Sequence, residues 1–192
     1  MKKRLFFLLV IPFLISASPL QQKHLAVIAA LNSGSCAGEV GSSFTTDNDA
    51  MAGGFIQGIP VTATCTGDIV ALDWYIPATD RASSVAMAIY SDNEGAVGTL
   101  LGTTAEFADP NSVGWHRQPL VSAVEVTQGV DYWVMWWPDT DATGQRVSID
   151  AVSGTNVHCW VNAGAVNTEA WPASGAYGYG TDDVGIRMSY DE

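Results

Sequence analysis

Basic residues are scarce in this sequence, and their scarcity limits the partners that the protein can have. The chain of 192 residues contains 8 Lys and Arg against 20 Asp and Glu, which gives a formal net charge of −12. An acidic surface repels nucleic-acid phosphates and the anionic head groups of lipids. We therefore expect no nucleic acid and no membrane surface among the partners.

Signatures of catalysis are also missing. The three histidines are His24, His116 and His158, and they do not have the spacing of paired metal ligands. The chain has no Gly-x-Ser-x-Gly motif, which would mark a nucleophilic serine. Paired carboxylates for sugar hydrolysis carry no local signature, so the sequence does not point to such a pair. We predict that the protein is not an enzyme.

The first eighteen residues have the pattern of an export signal. Lys2, Lys3 and Arg4 precede the apolar run Leu5–Ile15, and small residues follow at 16–18. The run is too short to span a bilayer, so we expect no membrane span in the mature chain. Removing residues 1–18 lowers the net charge from −12 to −15, because three of the eight basic residues and no acidic residue are lost. The sequence thus predicts a secreted or cell-surface protein.

The segment 19–53 is poorly patterned. Its one apolar stretch is Leu25–Leu31, which a Gly/Ser-rich run follows. Three interpretations stay open for this stretch: a terminal strand, a short helix, or a strand donated to a neighbouring subunit. We assign 19–53 as an N-terminal segment and 54–192 as one folded domain.

From Gly54 onward, apolar side chains recur at every second position, which is typical of strands with one buried and one solvent-exposed face. Clusters of Gly, Pro, Asn and Asp separate about nine such runs, at the spacing of sandwiches and barrels. A single antiparallel sheet would leave an apolar face in water. The sequence therefore predicts an all-β fold, a two-sheet antiparallel β-sandwich. The clearest runs are 70–76, 85–90, 147–151 and 184–189.

Several motifs in this domain occur together: Ile89–Gly95 with Gly98 and Leu100–Gly102, then Trp115, Pro119–Leu120 and Val126–Trp133. This set resembles modules of secreted and surface-attached bacterial proteins and of phage-associated proteins. Over 55–137 the chain is similar to jelly-roll-like β-sandwich modules, including carbohydrate-binding ones, although Ala96-Val97 stands where the family often has proline. The resemblance implies a jelly-roll-like sandwich with a non-catalytic role in glycan binding, decoration of larger assemblies or extracellular structures.

The run Tyr132–Trp137 is unusually aromatic. On a strand, Trp133 and Trp137 share one face, and Tyr132, Val134 and Trp136 share the other. One exposed face would form a platform that stacks on sugar rings; alternatively, both faces are covered and these rings belong to the core. The Gly-rich segment 171–180 adds aromatics of the kind found in recognition loops. The candidate glycan-binding residues are Trp133, Trp137, Trp171, Tyr177 and Tyr179.

The segment Asp139–Asp150 partly follows the pattern of a calcium loop. Oxygen-bearing side chains alternate from Asp139 through Asp141 to Thr143, glycine is sixth and Asp150 is twelfth. The alternative is an acidic hairpin turn, because no helix flanks the segment. Calcium is thus the candidate cofactor, with Asp139, Asp141, Thr143 and Asp150 as ligands. A calcium ion held between loops is also what the resemblance implies.

Three cysteines suggest one disulfide in an oxidising compartment, with one cysteine left over. Cys65 and Cys159 each lie in a strand-like run with apolar residues two positions away, so both are expected to point into a core. We predict the disulfide Cys65–Cys159. The alternative is two separate buried thiols. Cys36 follows an Asn-Ser-Gly-Ser stretch of flexible composition, which leaves it free to crosslink subunits.

Two functions from different classes follow. The first is a structural subunit of an extracellular filament or surface assembly, which self-associates when residues 25–31 add a strand to the next subunit's sheet. The apolar N-terminal stretch and the odd cysteine favour it. The alternative is a glycan-binding module that uses the exposed aromatics.

Overall fold

The fold is taken from a computed structural model of the chain, which describes residues 36–42, 45, 54–77, 84–108, 110, 112–139, 149–150, 158–180 and 183–191. Every regular element in these ranges is a β-strand. In chain order the strands are β1 (Glu39–Gly41), β2 (Phe55–Thr62), β3 (Gly67–Ile76), β4 (Ser84–Asn93), β5 (Ala96–Thr103), β6 (Phe107–Ala108), β7 (Gly114–Val126), β8 (Asp131–Pro138), β9 (Ile149–Asp150), β10 (His158–Asn162), β11 (Gly178–Gly180), β12 (Asp183–Val184) and β13 (Ile186–Tyr190).

The strands form two antiparallel sheets. The four-stranded sheet has the order β1-β13-β3-β7, and the seven-stranded sheet has the order β11-β10-β2-β8-β4-β5, with β6 also paired to β4. The short strands β9 and β12 pair with each other. The predicted all-β, two-sheet sandwich is confirmed. Its sheets hold eleven described strands rather than about nine, because β1, β6 and β11 are too short for a periodic pattern to reveal them.

Both sheets contribute side chains to a core between them. Leu72, Trp74 and Ile76 on β3 point into this core, as their alternation predicts. The pattern fails at the start of β3, because a register shift between Ile69 and Ala71 places Ile69 rather than Val70 inside. The other members are Ile59, Val61, Ala63, Val85, Met87, Ile89, Leu120, Val124, Val126, Tyr132, Val134, Trp136, Val184, Ile186, Met188 and Tyr190.

The outer face of the seven-stranded sheet is buried as well. Ala88 and Tyr90 on β4, which the alternation predicted to face solvent, are 0% exposed. The segment 163–177 between β10 and β11 packs on this face, and Tyr177 belongs to the resulting second core. The strands in the middle of this sheet therefore have two apolar faces, because a second sheet covers one and a loop segment covers the other.

The connection between β4 and β5 is a tight turn that the local sequence predicts. Glu94 and Gly95 both have positive φ, 56° and 85°, as a two-residue type I′ hairpin turn requires. The Gly95 amide donates to Asp92 Oδ2 at 2.9 Å. Asn93 and Ala96 pair directly on either side.

One lateral side of the sandwich is closed by contact between the two sheets. Thr104, after β5, forms an isolated bridge with Leu120 of β7. The Val124 side chain packs so closely on β5 that a Cβ atom at Gly102 would lie 2.6 Å from Cγ2 of Val124. At the opposite side, β1 and β11 each pair with a single described strand.

The folded domain begins before residue 54. β1 pairs with β13 in the register Val40 opposite Met188, so part of the segment assigned to 19–53 belongs to the sandwich. The sequence-based boundary is too late because a three-residue strand shows no periodicity. The predicted signal peptide 1–18 and the apolar stretch 25–31 lie outside the described residues. Within those residues, no helix is long and apolar enough to cross a membrane.

Candidate functional site

The predicted aromatic platform on β8 is not exposed. Trp133 and Trp137 are 0% and 1% exposed and belong to the second core. Their indole nitrogens donate to Asp92 Oδ1 at 2.8 Å and to the Gly164 carbonyl at 3.0 Å. The prediction that these two rings contact a glycan is therefore wrong. The alternative, in which both faces of the strand are covered, is confirmed.

The Gly-rich segment supplies rings to the same core. Trp171 packs edge-on against Trp137, with ring centroids 5.1 Å apart. Tyr177 is 7% exposed, so its predicted role as a surface contact is also wrong. The Tyr177 hydroxyl lies 3.3 Å from that of Tyr90, and Tyr90 in turn donates to the Pro172 carbonyl at 3.0 Å. These contacts attach the covering segment to β4.

The two buried tyrosines are held in their neutral form. Burial raises the pKa of Tyr90 to about 12, against the smaller effect of its hydrogen bond with Tyr177. Burial, followed by the hydrogen bond with Tyr90, raises the pKa of Tyr177 as well. Neither hydroxyl therefore supplies a phenolate near neutral pH, and their role in this geometry is structural.

Tyr179 and Trp160 are the exposed aromatics at the end of the seven-stranded sheet, at 44% and 43% exposure. In the β10–β11 pairing, Tyr179 lies opposite Cys159 and Trp160 lies opposite Gly178. Cys159 belongs to the second core, so Tyr179 shares that face and Trp160 occupies the other one. The two rings do not form one platform.

Tyr179 is fixed by the strands beside it. Its hydroxyl accepts a hydrogen bond from the Val97 amide at 2.9 Å, and its ring packs edge-on against Trp133 at 5.7 Å. Tyr179 nevertheless stays exposed at the surface. Among the predicted glycan-binding residues, Tyr179 is the most exposed.

Trp160 was missed by the sequence reasoning. A Cβ atom at Gly178 would lie 3.0, 3.1 and 3.4 Å from Cζ2, Cε2 and Cη2 of the indole. Three atoms of the six-membered ring at similar distances show that this ring lies over Gly178. The signal that could have found it is the alternation of β10, since Trp160 lies on the face opposite the buried Cys159. The pairing with a glycine cannot be read from the sequence.

Beside Trp160 lies a buried polar pair. Gln57 is directly opposite Trp160 in the β2–β10 register, and it is 0% exposed. Gln57 Oε1 lies 3.0 Å from Nε2 of His158, which is 3% exposed. Gln57 Nε2 has no hydrogen-bond partner among the described residues.

The predicted disulfide Cys65–Cys159 is wrong. The structure joins Cys65 to Cys36, 29 residues earlier, and Cys159 is a buried free thiol. Cys65 packs against the core between the sheets, whereas Cys159 belongs to the second core on the other side of the seven-stranded sheet. Strand alternation showed that both point inward but could not show that they enter different cores. Burial raises the pKa of the Cys159 thiol, which makes it unreactive.

The disulfide fixes the chain where it enters the sandwich. Immediately after Cys36, the Gly38 carbonyl accepts from the Tyr190 amide at 3.1 Å. Glu39 then forms ion pairs with Arg117 at 2.6 Å and Arg187 at 3.7 Å. A covalent bond, strand pairing and two ion pairs thus fix a segment of six residues, Cys36–Gly41. We call this segment the N-terminal base.

The ion pairs of the N-terminal base belong to a charged cluster on the outer face of the four-stranded sheet. Asp73 is 2% exposed and accepts from Arg117 Nε at 3.0 Å and from Ser189 Oγ. The hydrogen bond with Asp73 raises the pKa of Arg117 above its usual value. Arg187 lies 3.8 Å above the ring centre of Trp115. Within the described ranges, Arg117 and Arg187 are the only Lys or Arg residues, and both already have acidic partners.

The predicted calcium ligands are only partly described. Asp139 is half-buried, and its amide donates to the Ser84 carbonyl at 3.0 Å. Asp150 lies opposite Asp183 in the β9–β12 register. Asp141 and Thr143 lie outside the described residues. No group of three or more His, Cys, Asp or Glu side chains in the described ranges has metal-binding geometry, and calcium stays a prediction.

The chain matches no protein-family model, and it has no significant match among curated proteins. The resemblance to jelly-roll-like modules therefore stays a prediction.

Proposed function

We propose that this protein is a non-catalytic, exported structural subunit that self-associates through the chain preceding its N-terminal base. The observation that carries the proposal is the three-fold fixation of Cys36–Gly41 by the disulfide, by pairing with β13 and by the ion pairs of Glu39. A disulfide also fits an oxidising, extracytoplasmic compartment.

The N-terminal base is attached to the sandwich by a covalent bond as well as by strand pairing. Closing a loop of 29 residues contributes about 3–4 kcal/mol in the chain-entropy description of disulfides. A segment on which no partner pulled would not need this attachment, since the ends of a folded domain are commonly poorly ordered. The disulfide at Cys36 keeps β1 paired with β13 when another subunit binds the chain that precedes Cys36.

The apolar stretch 25–31 ends five residues before Cys36. It has the composition of a buried strand, with Val27 and Ile28 at its centre. Paired with the edge of another subunit, it would join copies head to tail, and such a contact propagates into an open fibre.

The sandwich has edges that suit such a strand. The side formed by β5 and β7 is closed by the Thr104–Leu120 bridge, whereas β11 pairs with β10 alone among the described strands. An unpaired edge strand presents free amide and carbonyl groups to an incoming strand. β11 is therefore the acceptor edge in this proposal.

The two described histidines have structural contacts, which supports a non-catalytic role. His116 Nε2 lies 2.7 Å from the Ser112 carbonyl, and its ring packs against Trp74. His158 pairs with Gln57 in the buried region behind β10.

The test is deletion of residues 19–35 with the signal segment retained. We expect the parent protein to form filaments in negative-stain electron micrographs, and the deletion variant to be a folded monomer by light scattering. The matched control deletes only 19–24 and keeps 25–31, so it should still polymerise. Polymers that persist in the 19–35 deletion, or a parent that is monomeric at all concentrations, would reject the proposal.

A further inference from the structure

An exposed indole lies on a flat support at the edge of the seven-stranded sheet. Trp160 is 43% exposed, and its six-membered ring lies over Gly178, which has no side chain to push the ring away. The ring therefore packs against the β11 backbone while part of its surface stays exposed. A ligand that stacks on a ring already held in place loses less conformational entropy than one that must first order it.

The residue opposite this indole has an unused hydrogen-bonding group. Gln57 and Trp160 are paired across β2 and β10, so their side chains lie next to each other on one face. Gln57 is 0% exposed, and its Nε2 has no partner in the described part of the chain, while Oε1 is bonded to His158. If the Gln57 side-chain amide is rotated by 180°, Nε2 bonds to His158 and Oε1 is left without a partner, so the unpaired group becomes an acceptor instead of a donor. Buried polar groups without partners are rare in native proteins, and each one requires a physical explanation. A bound hydroxyl that completes the hydrogen bonding is such an explanation.

The chemistry of this pair selects an uncharged ligand with hydroxyl groups. An acidic surface disfavours anions. The electron-rich face of an indole attracts the polarised C–H groups of a sugar ring. A hydroxyl both donates and accepts, so it satisfies the Gln57 amide in either orientation. An ammonium ligand would also stack on the indole, but it only donates hydrogen bonds, so it satisfies the Gln57 amide in one of its two orientations, whereas a hydroxyl satisfies both.

We propose that Trp160 and Gln57 form a saccharide-binding site, with a sugar ring stacked on the indole and one hydroxyl bonded to the Gln57 side-chain amide. The amide is covered in the unliganded chain, so side chains above it must rearrange before the hydroxyl reaches it. The indole therefore supplies most of the affinity, and the amide supplies a smaller part. The site lies beside the proposed acceptor edge, because Gly178 belongs to β11, but it uses no residue of the donated stretch 25–31.

The test measures retention of the full mature protein on insoluble cellulose and chitin, and its retardation in gels containing soluble xylan, β-glucan or starch. We expect binding to at least one of these polysaccharides. Trp160→Ala should weaken it roughly ten-fold or more, the scale of losing one aromatic stacking contact, and Trp160→Tyr should retain part of it. The control is Leu101→Ala on β5, because Leu101 is 41% exposed and lies on a different part of the surface. Its binding should equal that of the parent.

Each contrary outcome overturns a defined part of the proposal. A parent that binds none of the five polysaccharides, or a folded Trp160→Ala variant that binds like the parent, rejects the site. Equal loss in Leu101→Ala rejects its location. Gln57→Leu should weaken binding about three-fold, a modest share of a stacking-dominated affinity, and unchanged affinity would remove the amide from the site. Retention that survives deletion of 19–35 separates this site from self-association.

Discussion

Breaking the disulfide should release the N-terminal base while the sandwich stays folded. The replacement Cys36→Ser/Cys65→Ser removes the cross-link without leaving an unpaired thiol. The closed loop spans 29 residues, which gives an entropic loss of about 3–4 kcal/mol and a fall in melting temperature of roughly 10 °C for a domain of this size. The remaining contacts of β1 are three paired residues and partly exposed ion pairs, and exposed pairs contribute little.

The loss should be local, and amide hydrogen exchange can show this. The Tyr190 amide bonds to the Gly38 carbonyl at 3.1 Å on the β1 side of β13, so its exchange should accelerate in the double variant. The Tyr75 amide bonds to the Gly185 carbonyl at 2.8 Å between β3 and the chain just before β13, and it should stay protected. Urea unfolding gives the matching change in the free energy of unfolding.

The control is Cys159→Ala, which leaves the disulfide intact. Cys159 lies in the second core with Met135 Sδ at 3.5 Å, so this variant should keep Tyr190 protected whatever its effect on global stability. If the double variant is as stable as the parent, or if Tyr190 exchanges equally fast in Cys159→Ala, the reasoning about the N-terminal base is refuted.

Three further predictions concern the second core and the acidic loop. Trp137→Ala should lower the free energy of unfolding by about 3–5 kcal/mol, because the ring is buried against Trp171 and bonded to Gly164; a change under about 1 kcal/mol in urea unfolding would contradict this burial. Because burial raises the pKa of Tyr90 to about 12 from 10.0, its neutral form stabilises the fold fully below pH 10, and this stability should be lost as the pH rises from 10 to 12. Melting curves of Tyr90→Phe should lack that part of the alkaline decline, and identical curves would refute it. Millimolar calcium should raise the melting temperature if the loop 139–150 binds it, and no shift with no calorimetric heat would dismiss calcium.

Side-chain alternation predicted one face of each strand but not the other. Val85, Met87 and Ile89 were predicted to face the core between the sheets, and they do. Alternation could not show that Ala88 and Tyr90 are buried too. That outcome depends on a covering segment more than 70 residues later in the chain. The platform predicted at Trp133 and Trp137 failed for the same reason.

The candidate sites were less predictable than the fold. The cysteine pairing was wrong because Cys65 and Cys159 enter cores on opposite sides of one sheet. Trp160 was passed over although the alternation of β10 places it opposite the buried Cys159, and its packing over Gly178 arises only through the β10–β11 pairing. Such pairings join residues that are distant in the chain, and no local pattern encodes them.

The sequence by itself determined that the folded domain is all-β and that its strands stack in two sheets. It also determined where tight turns such as Glu94-Gly95 connect neighbouring strands. These features follow from side-chain alternation and local backbone preference, which a short stretch of residues specifies alone. Only the tertiary structure decided which strand faces are exposed to solvent, which cysteines pair and where the chain is fixed at its N-terminal base. Those outcomes depend on which distant segments cover or cross-link one another, and that is a property of the whole packed molecule.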